Sequence, residues 1–122
     1  MAAAITVAAP SSFNIQDWRI ILVQDEAQKA ALSAAAWNQQ QIIEAPVTFV
    51  FAADPQGGEK DLTAIYEQGL ASGAWPEKAV NHFKTVILQF QEGLGDKRRE
   101  YAVKDAMIAY SHLAIAAESG VA

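Results

Sequence analysis

Hydrophobic positions along this chain change their period several times, and each change marks an element. Trp18 to Val23 is a compact run of large and β-branched residues, the composition of a strand. Asp25 with Gln28 three residues on makes a capping-box-like pair, and the alanine-rich stretch from Ala27 to Trp37 continues as a helix able to lie flat against a sheet. Asp25 and Lys29 stand one turn apart, placed to pair on its exposed side. Val47 to Ala53 is apolar on both faces, which predicts a strand that is central rather than edge. The turn cluster Asp54-Pro55-Gln56-Gly57-Gly58 closes it. Glu59 to Leu70 predicts a short helix with Leu62, Ile65, Tyr66 and Leu70 on one side, ending near Gly73, and Pro76 fits the first position of the next helix. There Ala79, Val80, Phe83, Val86, Ile87, Phe90 and Leu94 keep a helical period with one buried stripe. Gly93-Leu94-Gly95 breaks it, Asp96 is placed to cap the last helix, and Glu100 and Lys104 are again one turn apart.

From Ala106 to Ala117 that last helix is apolar nearly all round, interrupted only by Ser111 and His112, with Gly120 at a natural C-terminal cap position. A helix without a polar face must be covered on every side. A chain with few other elements points to a second copy as the cover, hence a homodimer with this helix at the seam. The fold class is α+β: one helix-rich domain over residues 1–122, with two clear strands. A helix between two strands suggests a parallel crossover.

Composition narrows the classes. With 122 residues, 52% apolar and 19% charged, the chain lies far from the regime of disorder. A net charge of -5, with Lys97-Arg98-Arg99 as the longest basic cluster, argues against nucleic acid as a partner. There is no cysteine, which removes disulfides and thiolate chemistry. Met1 to Ala9 is apolar but short and carries no basic side chain, so it reads as the tail of a helix rather than a secretion signal. No apolar run approaches the roughly 18 residues of a membrane span, and a soluble, cytoplasmic protein is expected. His82 and His112 are 30 residues apart and neither has a second ligand at helical spacing, so no metal site is expected. Ser11 and Ser12 lack the partners of a hydrolytic nucleophile. Asp25-Glu26 and Asp54 with Glu59 read as helix caps and solvated loop rather than acid-base catalysts.

One polar set remains: Ser11, Ser12, Asn14 and Gln16 after Pro10, with Asn38 and Gln41 after Trp37. Carboxamides offer both a donor and an acceptor, which suits the edge of a flat heterocycle. Taken by themselves, the same residues read more readily as a loop that caps structure and a solvated helix end.

The stretch Ala9-Pro10-Ser11-Ser12-Phe13-Asn14-Ile15-Gln16-Asp17-Trp18, taken with Trp37-Asn38-Gln39-Gln40-Gln41-Ile42-Ile43-Glu44-Ala45-Pro46-Val47 and the helix from Asp105 to Gly120, resembles the flavin-dependent nitroreductase family. That resemblance implies an α-β-α sandwich with a mainly antiparallel sheet, which leaves the strand orientation open. It implies a homodimer with FMN at the interface, NAD(P)H as co-substrate, and ping-pong hydride transfer to a nitroaromatic, quinone or similar acceptor. By the same resemblance Pro10, Ser11, Ser12, Asn14 and Gln16 form the flavin loop, Asn38 meets the ring edge, and Gln41 stands where family members often carry a basic residue near the pyrimidine end. No protein side chain is implied as an acid-base catalyst. Relative to the family the chain is expected to be partial, lacking the N-terminal Arg-x-Ser-x-Arg segment and the C-terminal basic site that hold the flavin phosphate. The alternative is a catalytically silent fragment serving as a helical dimerisation or small-ligand-binding module.

Overall fold

The computed structural model describes residues 8–120. In chain order these form β1 (Trp18–Val23), α1 (Glu26–Ala35), α2 (Gln40–Glu44), β2 (Thr48–Ala53), α3 (Thr63–Ala71), α4 (Glu77–Leu94) and α5 (Arg98–Glu118), with 3-10 turns at Ser12–Asn14, Gly57–Glu59 and Gly95–Lys97. Two compact units emerge. One holds the described residues up to Trp18 together with those from Ala53 onward, and the other is Arg19–Ala52. The expected helix tail at Met1 to Ala9 falls mostly outside the described residues; Ala8 and Ala9 form a turn.

In the smaller unit, β1 and β2 pair antiparallel. Among the described residues the sheet has these two strands alone, so β2 has an unpaired edge and stays half-exposed rather than central. Its apolar run specified a strand but not how many neighbours the strand has. Asp25 caps α1 as its sequence predicts, accepting the Gln28 amide hydrogen at 3.0 Å. Lys29 does not pair with Asp25. It is only 4% exposed, and its Nζ donates to the carbonyls of Ile43 (3.0 Å) and Ala45 (3.1 Å) while lying 3.0 Å from the Glu26 carboxylate. A five-residue helix such as α2 leaves its last carbonyls without internal donors, and the Lys29 ammonium supplies them. The first helix stops at Ala35, short of Trp37, because Trp37 and Asn38 both take left-handed backbone angles (φ 56° and 57°). The Asn38 amide then bonds the Ser33 carbonyl at 2.8 Å, and the Ser33 hydroxyl donates to the Gln39 carbonyl at 3.0 Å.

In the larger unit the core forms around Ile15, Leu62 and Ile87, with Phe13, Ile65, Tyr66 and Phe83 packed against it. The stripe predicted on α4 is the buried one: Val80 and Ile87 are enclosed and Ala79, Phe83, Val86, Phe90 and Leu94 half-buried. Helix α3 begins at Thr63 rather than Glu59, because Gly57–Glu59 turns on its own and the Asp61 carboxylate accepts the Thr63 amide hydrogen at 2.9 Å. Pro76 is the cap itself, one residue before α4. Asp96 does not cap α5; the turn Gly95–Lys97 feeds straight into the helix and Lys97 occupies the cap position. Glu100 and Lys104 do pair, at 2.6 Å, and Gly120 takes the left-handed angle (φ 74°) of a helix end.

The last helix is enclosed by its own chain along one stripe only. One stripe is enclosed, Ala102, Asp105, Ala106, Ala109, Leu113 and Ala116, while Val103, Met107, Ile108, Tyr110 and Ile115 stay exposed. Within the described residues α5 is therefore covered along one side, not all round.

Candidate functional site

The loop from Pro10 to Gln16 is a tight construction of left-handed residues. Phe13, Asn14 and Gln16 have φ of 52°, 55° and 52°. Such angles in non-glycine residues cost about 1–3 kcal/mol each and persist only where neighbours enforce them. Here the Ser11 hydroxyl accepts the Gln16 amide hydrogen at 2.9 Å, and the Gln16 side-chain amide donates to Asn14 Oδ1 at 3.1 Å. Lys60 Nζ donates to the Gln16 carbonyl at 3.2 Å. The Ser12 amide donates to Asp105 Oδ2 at 2.9 Å, a bond between residues 93 positions apart. The Phe13 ring fastens the loop from the apolar side, meeting Phe83 and Phe90 edge-on at 5.8 and 5.4 Å between centroids.

The outer side of this loop forms one wall of a cleft of about 340 Å³ lined by Pro10, Ser11, Asn14, Gln68, Gly69, Ser72, Ala74 and Trp75. That is within the ~300–1,000 Å³ of ordinary small-molecule sites. Gly69 shapes the opposite wall: a Cβ there would stand 2.4 Å from Trp75 Cε3, so only glycine lets the indole lie against α3. The lining combines an indole face with hydroxyls and carboxamides and carries no charged side chain. It fits a neutral aromatic ring with a hydrogen-bonding edge, and offers nothing to pair with a phosphate.

Of the residues singled out from the sequence, Pro10, Ser11 and Asn14 are thus brought together on one cleft. Ser12 and Gln16 hold the loop's shape through the bonds above. Asn38 and Gln41 belong to the other compact unit, where both are exposed, Asn38 in its left-handed turn and Gln41 in the first turn of α2. His82 is exposed, and His112 Nδ1 lies 2.9 Å from the Ile108 carbonyl of its own helix.

Sequence reasoning missed Trp75, Gly69 and two acids. Asp17 is 6% exposed, with an Oδ1 that has no hydrogen-bond partner, and Asp105 is 7% exposed. Burial first, then the charge of Asp105, pushes the Asp17 carboxyl up from 3.8 to about 6, against the pull of its own backbone hydrogen bond and Lys60; Asp54 adds slightly to the rise. Gly57 makes room for this acid, since a Cβ there would meet Asp17 Cβ at 2.4 Å. A usable signal for Asp105 existed: it is the one charged member of a row of alanines and leucine at helical spacing. It stands one residue ahead of the apolar segment that begins at Ala106, so apolarity alone does not include it.

The sequence profile described as the Nitroreductase family matches residues 1–120. The chain is 42% identical over 62 residues, 51% of its length and 30% of the relative's, to an NADH dehydrogenase of Thermus thermophilus. It is 26% identical over 113 residues, 93% of this chain and 51% of the relative, to Protein DrgA of Synechocystis. Among solved structures, a candidate nitroreductase in complex with FMN from Exiguobacterium sibiricum superposes with a TM-score of 0.79 at 23% identity, covering 92% of this chain and 54% of that one. This is the nitroreductase-type fold, and the chain spans about half the length of that structure and of Protein DrgA.

Proposed function

The chain belongs to the nitroreductase family, and on that premise we propose that it is the part of a flavin-dependent NAD(P)H oxidoreductase that holds the ring of FMN, within one nitroreductase-like domain spanning residues 1–122. The observation that carries this reading is the cleft on which Pro10, Ser11 and Asn14 face Trp75. When bound, FMN supplies the hydride chemistry, with NAD(P)H oxidised and a nitroaromatic, quinone or similar acceptor reduced in ping-pong fashion. The protein's part is to bind and orient. In this reading Ser11 and Asn14 would hydrogen-bond the ring edge, Pro10 and Trp75 would pack on its apolar body and Ser12 and Gln16 fix the loop, while Asn38 and Gln41 are flavin-contacting residues by family resemblance. A loop already held in its strained shape loses little freedom on binding, which favours affinity. The molecule works in the cytoplasm as a homodimer, the exposed Val103, Met107, Ile108, Tyr110 and Ile115 on α5 covered by a second copy. No helix among the described residues is long and apolar enough to cross a membrane.

Titration of the purified chain with FMN, followed by flavin fluorescence, tests the reading. Saturable quenching that weakens about tenfold in Asn14→Ala is expected, the loss of one or two hydrogen bonds. A colourless protein that leaves FMN fluorescence unchanged removes it. The exposed apolar residues on α5 favour a second reading, a silent dimerisation module. It predicts a dimer by analytical ultracentrifugation without flavin binding or NAD(P)H oxidation.

A further inference from the structure

We propose that Asp105 is the positioning residue of the Pro10–Gln16 loop: from within α5 its carboxylate takes the Ser12 amide hydrogen and fixes the turn that presents Ser11 and Asn14 to the cleft. The consequence for ligand binding rests on the flavin reading above, whereas the positioning itself does not.

Three observations converge. The turn is strained at Phe13, Asn14 and Gln16, so it needs enforcement from outside the loop. The bonds that Gln16 donates to Ser11 and Asn14 lie within the loop and move with it, while Lys60 acts at its exit. Asp105 acts at its entrance, from a helix whose buried stripe is otherwise Ala102, Ala106, Ala109, Leu113 and Ala116. A carboxylate in such a stripe is costly unless a donor compensates it, and alanine would fit the packing without that cost. The donor is the Ser12 amide. The charged groups around the pair are Asp17 beside Asp105, with Lys60 and Asp54 facing Asp17. Two neighbouring buried acids repel, yet the amide hydrogen goes to Asp105 while Asp17 Oδ1 receives none. The arrangement thus serves the loop rather than the neutralisation of both acids.

The test uses the full 122-residue chain and two readouts: exchange of the Ser12 amide hydrogen followed by NMR, and FMN affinity. In wild type the Ser12 amide exchanges slowly. In Asp105→Ala it exchanges at least about tenfold faster while amides of α4 stay protected, and FMN binds about 10–100-fold more weakly, the range of a hydrogen bond to a charged group. Asp105→Asn keeps an acceptor and restores most of both, leaving affinity within about 2–10-fold of wild type. Ser12→Pro removes the donor instead; Ser11 is already extended (φ -142°, ψ 165°), as a residue before proline must be. It leaves no Ser12 amide hydrogen to follow and repeats the loss of FMN affinity, to which a combination with Asp105→Ala adds nothing further. Asp105→Asn and Ser12→Pro, read by FMN affinity, carry the test if Asp105→Ala does not fold. If the Ser12 amide follows this pattern but wild type binds no FMN, the positioning role stands and the flavin reading fails. Equal Ser12 exchange in wild type and Asp105→Ala, or, where wild type binds FMN, unchanged affinity in every variant, overturns the proposal.

Discussion

Phe13-Asn14 and Trp37-Asn38 are the same local construction in two places: an aromatic residue followed by asparagine, both in the left-handed region, with φ between 52° and 57°. Their surroundings differ completely. Phe13 drives its ring between Phe83 and Phe90, and the loop around it is bonded to Asp105 and Lys60. Trp37 is 91% exposed, and its turn is held by short-range bonds from Asn38 and Ser33. Asparagine tolerates this backbone; the large aromatic before it does not, without compensation. Phe13 is compensated by packing from distant helices, so its loop is a fixed platform. Trp37 has no such support, so its turn depends on the few hydrogen bonds beside it.

Truncating the anchored aromatic is the strongest way to break this comparison. Phe13→Ala should lower the free energy of unfolding by about 2–4 kcal/mol, measured by urea titration, because a packed half-buried ring is lost. A loss under about 0.5 kcal/mol would mean the platform does not depend on its ring.

The second region has an anchor of its own, set apart from its tryptophan. Lys29→Ala should cost about 2–3 kcal/mol, since two carbonyls lose a charged donor. Faster amide exchange confined to Arg19–Ala52 in that variant would locate the loss in the smaller unit.

Asp17 lies next to the anchored loop and gives it a pH dependence. Its carboxyl titrates near 6 in the folded chain against 3.8 ordinarily, so the folded state holds the extra proton between those values. The stabilisation is fully present below about 4 and is lost as pH rises through about 6. Asp17→Asn should flatten that slope and leave the protein more stable than wild type above pH 6 by about 1–3 kcal/mol. Thermal melts at pH 5 and pH 8 check it; parallel shifts in both proteins would exclude Asp17 as the titrating group.

Trp37→Ala closes the comparison with the smallest effect, within about 0.5 kcal/mol of wild type in the same titration. A loss as large as that of Phe13→Ala would show that the exposed indole is covered in solution.

Sequence by itself determined the elements whose signal is local. The α4 stripe, the β1 run and the Asp25 cap all lie where the residue pattern puts them, because periodicity, β-branching and capping act over a few residues. The pairing of Pro10, Ser11 and Asn14 on one surface was legible for the same reason: they are neighbours in one turn. Only tertiary structure decided which charges are buried, since Lys29 and Asp105 look like surface residues until the carbonyls and the amide that satisfy them are in place. It also decided that Trp75 and Gly69 complete the cleft and that α5 is enclosed along one stripe. Burial and hydrogen-bond satisfaction are properties of residues far apart in the chain, and no local pattern encodes them.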